Sequence, residues 1–258
     1  MTEEELLRDA VSAYYNVRDY ARAAALFKEL VASGHNEAKT FIMLACCEAH
    51  VTKDRAAAEP WLNKAKLAGA ADDEIIACRC AIEWAVGSEE ESLRLAKQAA
   101  RMNPSAENLR TLFAALQDVS PKDAEFVCRE MIKRYPRRPE GYDCLGALEL
   151  EQDRFEESVR HLERAIELDP DDLNTRASLG DAYYELGEYA KARKCFVEVE
   201  KHETANPHSG LYLIGMCILK GDGERDLARQ YFERALAEKP DFEEAQQALT
   251  ELDTDVAE

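Results

Sequence analysis

Eight cysteines and five histidines are the side chains of this 258-residue sequence best suited to hold a metal or attack a substrate. Their spacing argues against both uses. Cys46-Cys47 and Cys78-x-Cys80 are not CxxC pairs, and Cys128, Cys144, Cys195 and Cys217 are scattered. On a helix, residues one or two apart point in different directions, so neither close pair can easily grip one ion. Thiols used instead as small apolar packing residues fit a reducing, cytoplasmic setting. Among His35, His50, His161, His202 and His208, the nearest two are His202 and His208. They flank a turn and have no thiol or carboxylate at metal-ligand spacing, so no metal is expected. Gly221-x-Gly223 is followed by Asp226 where a dinucleotide loop needs glycine. The phosphate-loop, zinc-protease and serine-elbow motifs are absent. Acid pairs such as Glu156-Glu157 and Glu243-Glu244 suit solvated helix faces, and none stands out as a hydrolytic pair. The sequence therefore predicts no enzyme and no cofactor.

The elements that carry these residues are helical. Hydrophobic residues make up 46% and charged residues 33%, enough to bury a core. Only 11 Gly and 8 Pro occur, fewer than a strand-rich fold with many tight turns would use. No run of about 18 apolar residues suggests a transmembrane span. The start, Met1-Thr2-Glu3-Glu4-Glu5, is acidic where a secretory signal would be basic and then apolar. The formal net charge of −19 disfavours nucleic acid and anionic lipid and favours a neutral or basic partner. The one basic cluster, Lys133, Arg134, Arg137 and Arg138, reads as a helix C-terminus whose dipole prefers cations.

A period sets the arrangement of those helices. Pro104, Pro136, Pro170, Pro207 and Pro240 are separated by 32, 34, 37 and 33 residues. A small residue recurs at Ala23, Ala58, Ser92, Ala124, Ser158, Ala192 and Ala228. Four positions on sit Phe27, Leu62, Ala96, Cys128, Leu162, Phe196 and Phe232. Three further on come Leu30, Ala65, Ala99, Met131, Ala165, Val199 and Ala235. Steps of four and then three place all three positions on one helical face. Self-similarity near 34 residues points to stacked helix hairpins.

The sequence here resembles the tetratricopeptide repeat family. The resemblance rests on Tyr142-x-x-Leu145-Gly146 with Phe155, Ser158, Ala165 and Pro170, and on Leu179-Gly180-x-x-Tyr183 with Gly187, Tyr189, Ala192 and Phe196. A further copy has Ile214-Gly215, Ala228, Phe232, Ala235 and Pro240. The match is strong over 139–240 and degenerate but in register over 4–138. It implies an all-α, right-handed solenoid of about seven helix–turn–helix repeats, as a single array over residues 1–258. The repeats are read at 4–37, 39–72, 73–104, 105–138, 139–172, 173–206 and 208–240. A capping helix follows at 241–252, and an acidic tail at 253–258. Repeats one to four replace the Leu-Gly pair with Ala10-Val11, Ala45-Cys46, Arg79-Cys80 and Thr111-Leu112. Arg79 and Thr111 at a usually apolar contact suggest a register loose by one residue. Pro60 predicts a second helix in repeat two that starts late or kinks.

In that family the first helices line a concave groove that receives peptides. The corresponding positions include Met43, His50, Trp84, Leu109, Phe113 and Leu116, then Asp143, Leu150, Asp181, Tyr184, Tyr212 and Met216. The family's Lys/Asn clamp for C-terminal carboxylates is absent, since Asp143/Ala147, Ala177/Asp181 and Tyr212/Met216 stand at its positions. An apolar groove edged by carboxylates implies a non-catalytic, chaperone-like scaffold. Its partner would be another protein, through a peptide or amphipathic segment that is apolar with some basic character. Buried and grooved stripes share one helical period, so core packing is the competing reading of the aromatic set. A self-associating scaffold using convex faces or terminal repeats is the alternative function.

Overall fold

The stripes spaced by four and three become the buried faces of helices in the computed structural model, which describes residues 2–15, 17–202 and 207–254. Every member of the three recurring positions is buried, from Ala23, Phe27 and Leu30 to Ala228, Phe232 and Ala235. Fifteen α-helices and one 3₁₀ turn form, with no strand among the described residues. The fold is all-α and of the helical-solenoid class.

Two compact units divide the chain, Met1–Pro136 and Arg137–Glu258. The first contains α1 (Glu3–Tyr15), α2 (Tyr20–Ala32), α3 (Ala38–Thr52), α4 (Glu59–Leu67), α5 (Asp72–Ala85), α6 (Glu89–Met102), α7 (Ala106–Leu116) and α8 (Pro121–Arg134). The second contains α9 (Glu140–Glu151), α10 (Phe155–Leu168), α11 (Leu173–Glu185), α12 (Tyr189–His202), α13 (Pro207–Gly221), α14 (Arg225–Glu238) and α15 (Glu243–Thr254). Odd-numbered helices up to α13 are the first members of hairpins, and the helix after each is the second. Within each unit each hairpin packs against the next, and first helices also touch one another directly, as α3 does α5, α5 does α7 and α9 does α11.

Local chemistry shapes the turns. Gly187 takes φ +75° after α11, and the N–H of Glu188 then donates to the Tyr183 carbonyl at 2.8 Å. A left-handed residue there satisfies helix-end carbonyls and reverses the chain. Pro60 lies in the first turn of α4, which begins only after the 3₁₀ turn Arg55–Ala57. The helix starts late because a missing N–H costs nothing in its first turn.

Close helix approach explains the glycines of the second unit. A Cβ on Gly146 would lie 2.6 Å from Leu162 Cγ, and one on Gly180 or Gly215 would meet the ring of Phe196 or Phe232. The same register holds in the first unit, which corrects the expected one-residue slip. Ser92 Oγ donates to the Cys80 carbonyl at 3.0 Å, as Ser158 Oγ does to that of Gly146 at 2.7 Å. Arg79 is accommodated without a shift because its guanidinium grips the Glu59 carboxylate, 2.8 Å from Nη2 to Oε2. Thr111 turns its hydroxyl back to the Glu107 carbonyl at 3.0 Å.

The last helix lays Ala245, Ala248 and Leu252 against the core built by α10 to α14, while Glu243, Glu244, Gln246, Gln247 and Glu251 stay exposed. It runs two residues beyond the expected 252, and Asp253 pairs with Arg229 at 2.6 Å. The rest of the expected acidic tail, 255–258, lies outside the described residues. At the basic cluster, Lys133 and Arg134 in the last turn of α8 both face Glu130. Arg138 pairs with Glu140.

Candidate functional site

The twelve expected groove residues divide by environment. In the first unit Met43, Leu109, Phe113 and Leu116 are buried, with Phe113 7% and Leu116 3% exposed. They fill the interior, and this corrects their reading as groove anchors. Met43 packs with Leu6, Phe27, Leu30 and Leu44, between the first hairpin and α3. α7, which carries the other three, is covered by α5, α6 and α8. The competing core reading holds for these four.

Trp84 and His50 behave differently. The Trp84 side chain is 60% exposed near the C-terminal end of α5, and Tyr15 at the end of α1 is 44% exposed. Between them lies a run of rings. Tyr14 meets Tyr15 edge-on at 4.8 Å between centroids and Tyr20 at 5.7 Å. Tyr20 stacks on His50 at 4.0 Å and 10°, and His50 is 6.1 Å from Trp84. Burial and the nearby Lys53 charge lower the His50 pKa, so its ring is neutral near pH 7 and stacks as an apolar surface. These rings form an aromatic ledge where the first three hairpins end their first helices. An ordered aromatic surface of this kind offers large contact area at small entropy cost.

Sequence reasoning missed Tyr14 and Tyr20. Tyr20 opens α2, a second helix, behind the Asp19 cap, whose carboxylate accepts from the Arg22 N–H at 2.9 Å. Positions counted along first helices cannot find it. The tight turn between α1 and α2 brings its ring to His50.

In the second unit Asp143, Leu150, Asp181, Tyr184, Tyr212 and Met216 are all half-buried. Asp143 is tied to the next hairpin, its Oδ1 accepting from Thr175 Oγ1 at 2.9 Å. Tyr184 meets Tyr189 edge-on at 5.4 Å, and Lys220 Nζ lies 4.7 Å over its ring. Tyr212 contacts Phe232 and Phe242, while Leu150 and Met216 lean on the same core. Burial, with the Glu185 charge adding to it, pushes the Asp181 carboxyl up to about 6. This surface thus carries a poorly solvated carboxylate, one helical turn before Tyr184 on α11. One buried acid lies outside the expected set: Glu149, 2% exposed, receives His161 Nδ1 at 2.6 Å.

Models of known families match this chain in two overlapping stretches. A TPR repeat model covers residues 146–187, and a tetratricopeptide repeat model covers 177–241. The chain is a tetratricopeptide-repeat protein. The repeat fold extends over the first unit as well. The crystal structure of the APC/C hetero-tetramer Cut9-Hcn1 superposes with a TM-score of 0.66 at 16% identity, covering 92% of this chain and 49% of that one. At that identity the likeness is one of fold. Among curated relatives, the BBSome complex member BBS4 homolog of Drosophila melanogaster is 28% identical over 123 residues, 42% of this chain and 25% of the relative. Human protein O-mannosyl-transferase TMTC1 is 26% identical over 203 residues, 76% of this chain and 23% of the relative. The repeat protein therefore spans about a quarter of the length of these relatives. Its repeat fold is that of a protein–protein interaction scaffold. No helix among the described residues is long and apolar enough to cross a membrane.

Proposed function

We propose that this repeat protein is a non-catalytic scaffold, and that the aromatic ledge of its first unit docks a segment of another protein. The observation that carries the reading is the 60% exposed Trp84 indole, aligned through His50 and Tyr20 with Tyr14 and Tyr15. Large aromatic side chains held in place are the usual energetic centres of protein interfaces, and leaving one in water without a role wastes apolar area. The ligand is an apolar segment with some basic character, received by a chain of net charge −19. The half-buried Asp181 beside Tyr184 extends that preference to the second unit. Such a segment could be a chaperone client or a stable subunit. Two similar proteins are named for assemblies, a BBSome complex member and a Cut9-Hcn1 hetero-tetramer, and this favours a subunit.

Affinity capture from native lysate, comparing the unaltered chain with Tyr15→Ala/Trp84→Ala, tests the ledge. The variant should keep its helical circular dichroism and lose at least one specific partner. Identical capture by a folded variant removes the ledge from the account. A second reading, self-association, draws on Leu67, Val119 and Phe126, apolar side chains exposed in the first unit away from the ledge helices. Light scattering at two concentrations decides it, since a strict monomer ends that reading.

A further inference from the structure

We propose that Cys46 and Cys78 are a redox-sensitive dithiol, which a peroxide converts to a disulfide tying α3 to α5. The two Sγ atoms lie 3.3 Å apart in the interior of the first unit, although 32 positions separate them in the chain. Both belong to one packed cluster with Leu62, Ile82 and Ala85. Their sequence neighbours diverge. Cys47 packs with Leu6, Ala10 and Phe27. Cys80 faces Ser92 Oγ at 3.3 Å. A helix turns about 100° per residue, so the adjacent and near-adjacent cysteines cannot share a partner, while one from each helix can.

The surroundings give the two sulfurs different roles. The Cys78 thiol sits between Cys46 Sγ and the Ile42 carbonyl, 3.5 Å away. Hydrogen bonding with Cys78 and with the Tyr14 hydroxyl holds the Cys46 thiol below its ordinary value despite burial, while that of Cys78 is pushed well above its own. With the Cys78 S–H engaged by the Ile42 carbonyl, Cys46 is the attacking sulfur and Cys78 the resolving thiol. The Cys46 thiol gives up its proton as its sulfur attacks one peroxide oxygen, the O–O bond breaks, and the departing oxygen leaves as water with that proton. The resulting sulfenic acid is attacked by Cys78, the S–S bond forms, and the second oxygen leaves as water with the Cys78 proton. Two thiols lose two electrons and two protons, and one peroxide gains them. Tyr14 also contacts Tyr15 and Tyr20, so the cross-link lies one side chain from the aromatic ledge.

The test treats the native full chain with hydrogen peroxide, then denatures it and alkylates the remaining thiols. Free thiols should fall from eight to six, a mass loss of two hydrogens should appear before alkylation, and dithiothreitol should restore both. Peptide fragmentation should place the link between Cys46 and Cys78. Cys46→Ser and Cys78→Ser should each abolish it. The Cys47→Ala/Cys80→Ala double variant should retain it, which keeps the test valid even if either serine variant fails to fold. Persistence of eight thiols overturns the proposal. So does oxidation of these two sulfurs to sulfinic acid without a link, or a link that joins other cysteines.

Discussion

The two units solve one packing problem with different side chains. In the second, Gly146, Gly180 and Gly215 let the facing helix come so near that a methyl group would press into Leu162, Phe196 or Phe232. In the first, the same register positions hold Val11, Cys46, Cys80 and Leu112. The third hairpin has a smaller partner across the contact. Cys80 packs with Ala96, and Leu112 leans on the same cluster, where the second unit sets Gly146 against Leu162. A smaller residue opposite Cys80 makes room for its side chain and keeps the density of a protein interior. The comparison teaches that one helix contact accepts residue pairs of different size, so residue identity drifts while the hairpin persists.

The largest effect should come from overfilling the second unit. Gly180→Val should destabilise by about 3 kcal/mol or more, because the Phe196 ring has no free space beside it. Cys80→Ala in the first unit should cost about 1 kcal/mol, as loss of a small group. Denaturant midpoints measure both, and equal losses would break the comparison. Polar contacts sharpen it further. His161→Ala strands the buried Glu149 carboxylate and should cost about 3 kcal/mol, with Glu149→Gln in the same chain recovering part of the loss. The first unit instead buries an amide network, in which Asn108 Nδ2 donates to Asp73 at 2.8 Å and to the Asn103 carbonyl at 2.8 Å. Asn108→Ala should cost about 2 kcal/mol by removing both of those bonds, with Asn103 Nδ2 still donating to Asp73 at 3.0 Å.

Asp181 supplies a prediction in pH. Its folded carboxyl titrates near 6, above the ordinary 3.8, so the folded state holds its proton more tightly than the unfolded one. The stability this lends is complete below the ordinary value and is lost as pH rises through about 6. Asp181→Asn should therefore stabilise the chain by about 1–3 kcal/mol at pH 7 and leave it unchanged near pH 3, as thermal melts at the two pH values would show. No difference between the two pH values would mean the carboxylate is well solvated. The smallest stability effect belongs to the ledge. Trp84→Ala should cost under about 1 kcal/mol, against about 2–4 kcal/mol for Leu116→Ala at the corresponding position of the next hairpin. A large loss at Trp84 would make it core.

Much of the fold was legible in the chain. The recurring small residue and its apolar companions marked the buried stripe of every second helix, from Ala23, Phe27 and Leu30 onward, because a period near 34 and steps of four and three allow one burial pattern. Pro60 delaying α4 and the apolar face of the last helix were readable too, since both are local consequences of backbone chemistry and amphipathic spacing. The candidate site was legible only in part. Trp84 and Leu116 occupy the same position on their helices, yet one stands in solvent and the other is sealed.

Sequence alone determined the periodic helices and the faces they bury, because those depend on side-chain spacing along one segment. Tertiary structure decided which first-helix residues stay open, that Tyr20 stacks on His50, and that Cys46 finds Cys78 rather than its neighbour Cys47. Each of those outcomes depends on the distance between two helices, and no helical period encodes that distance.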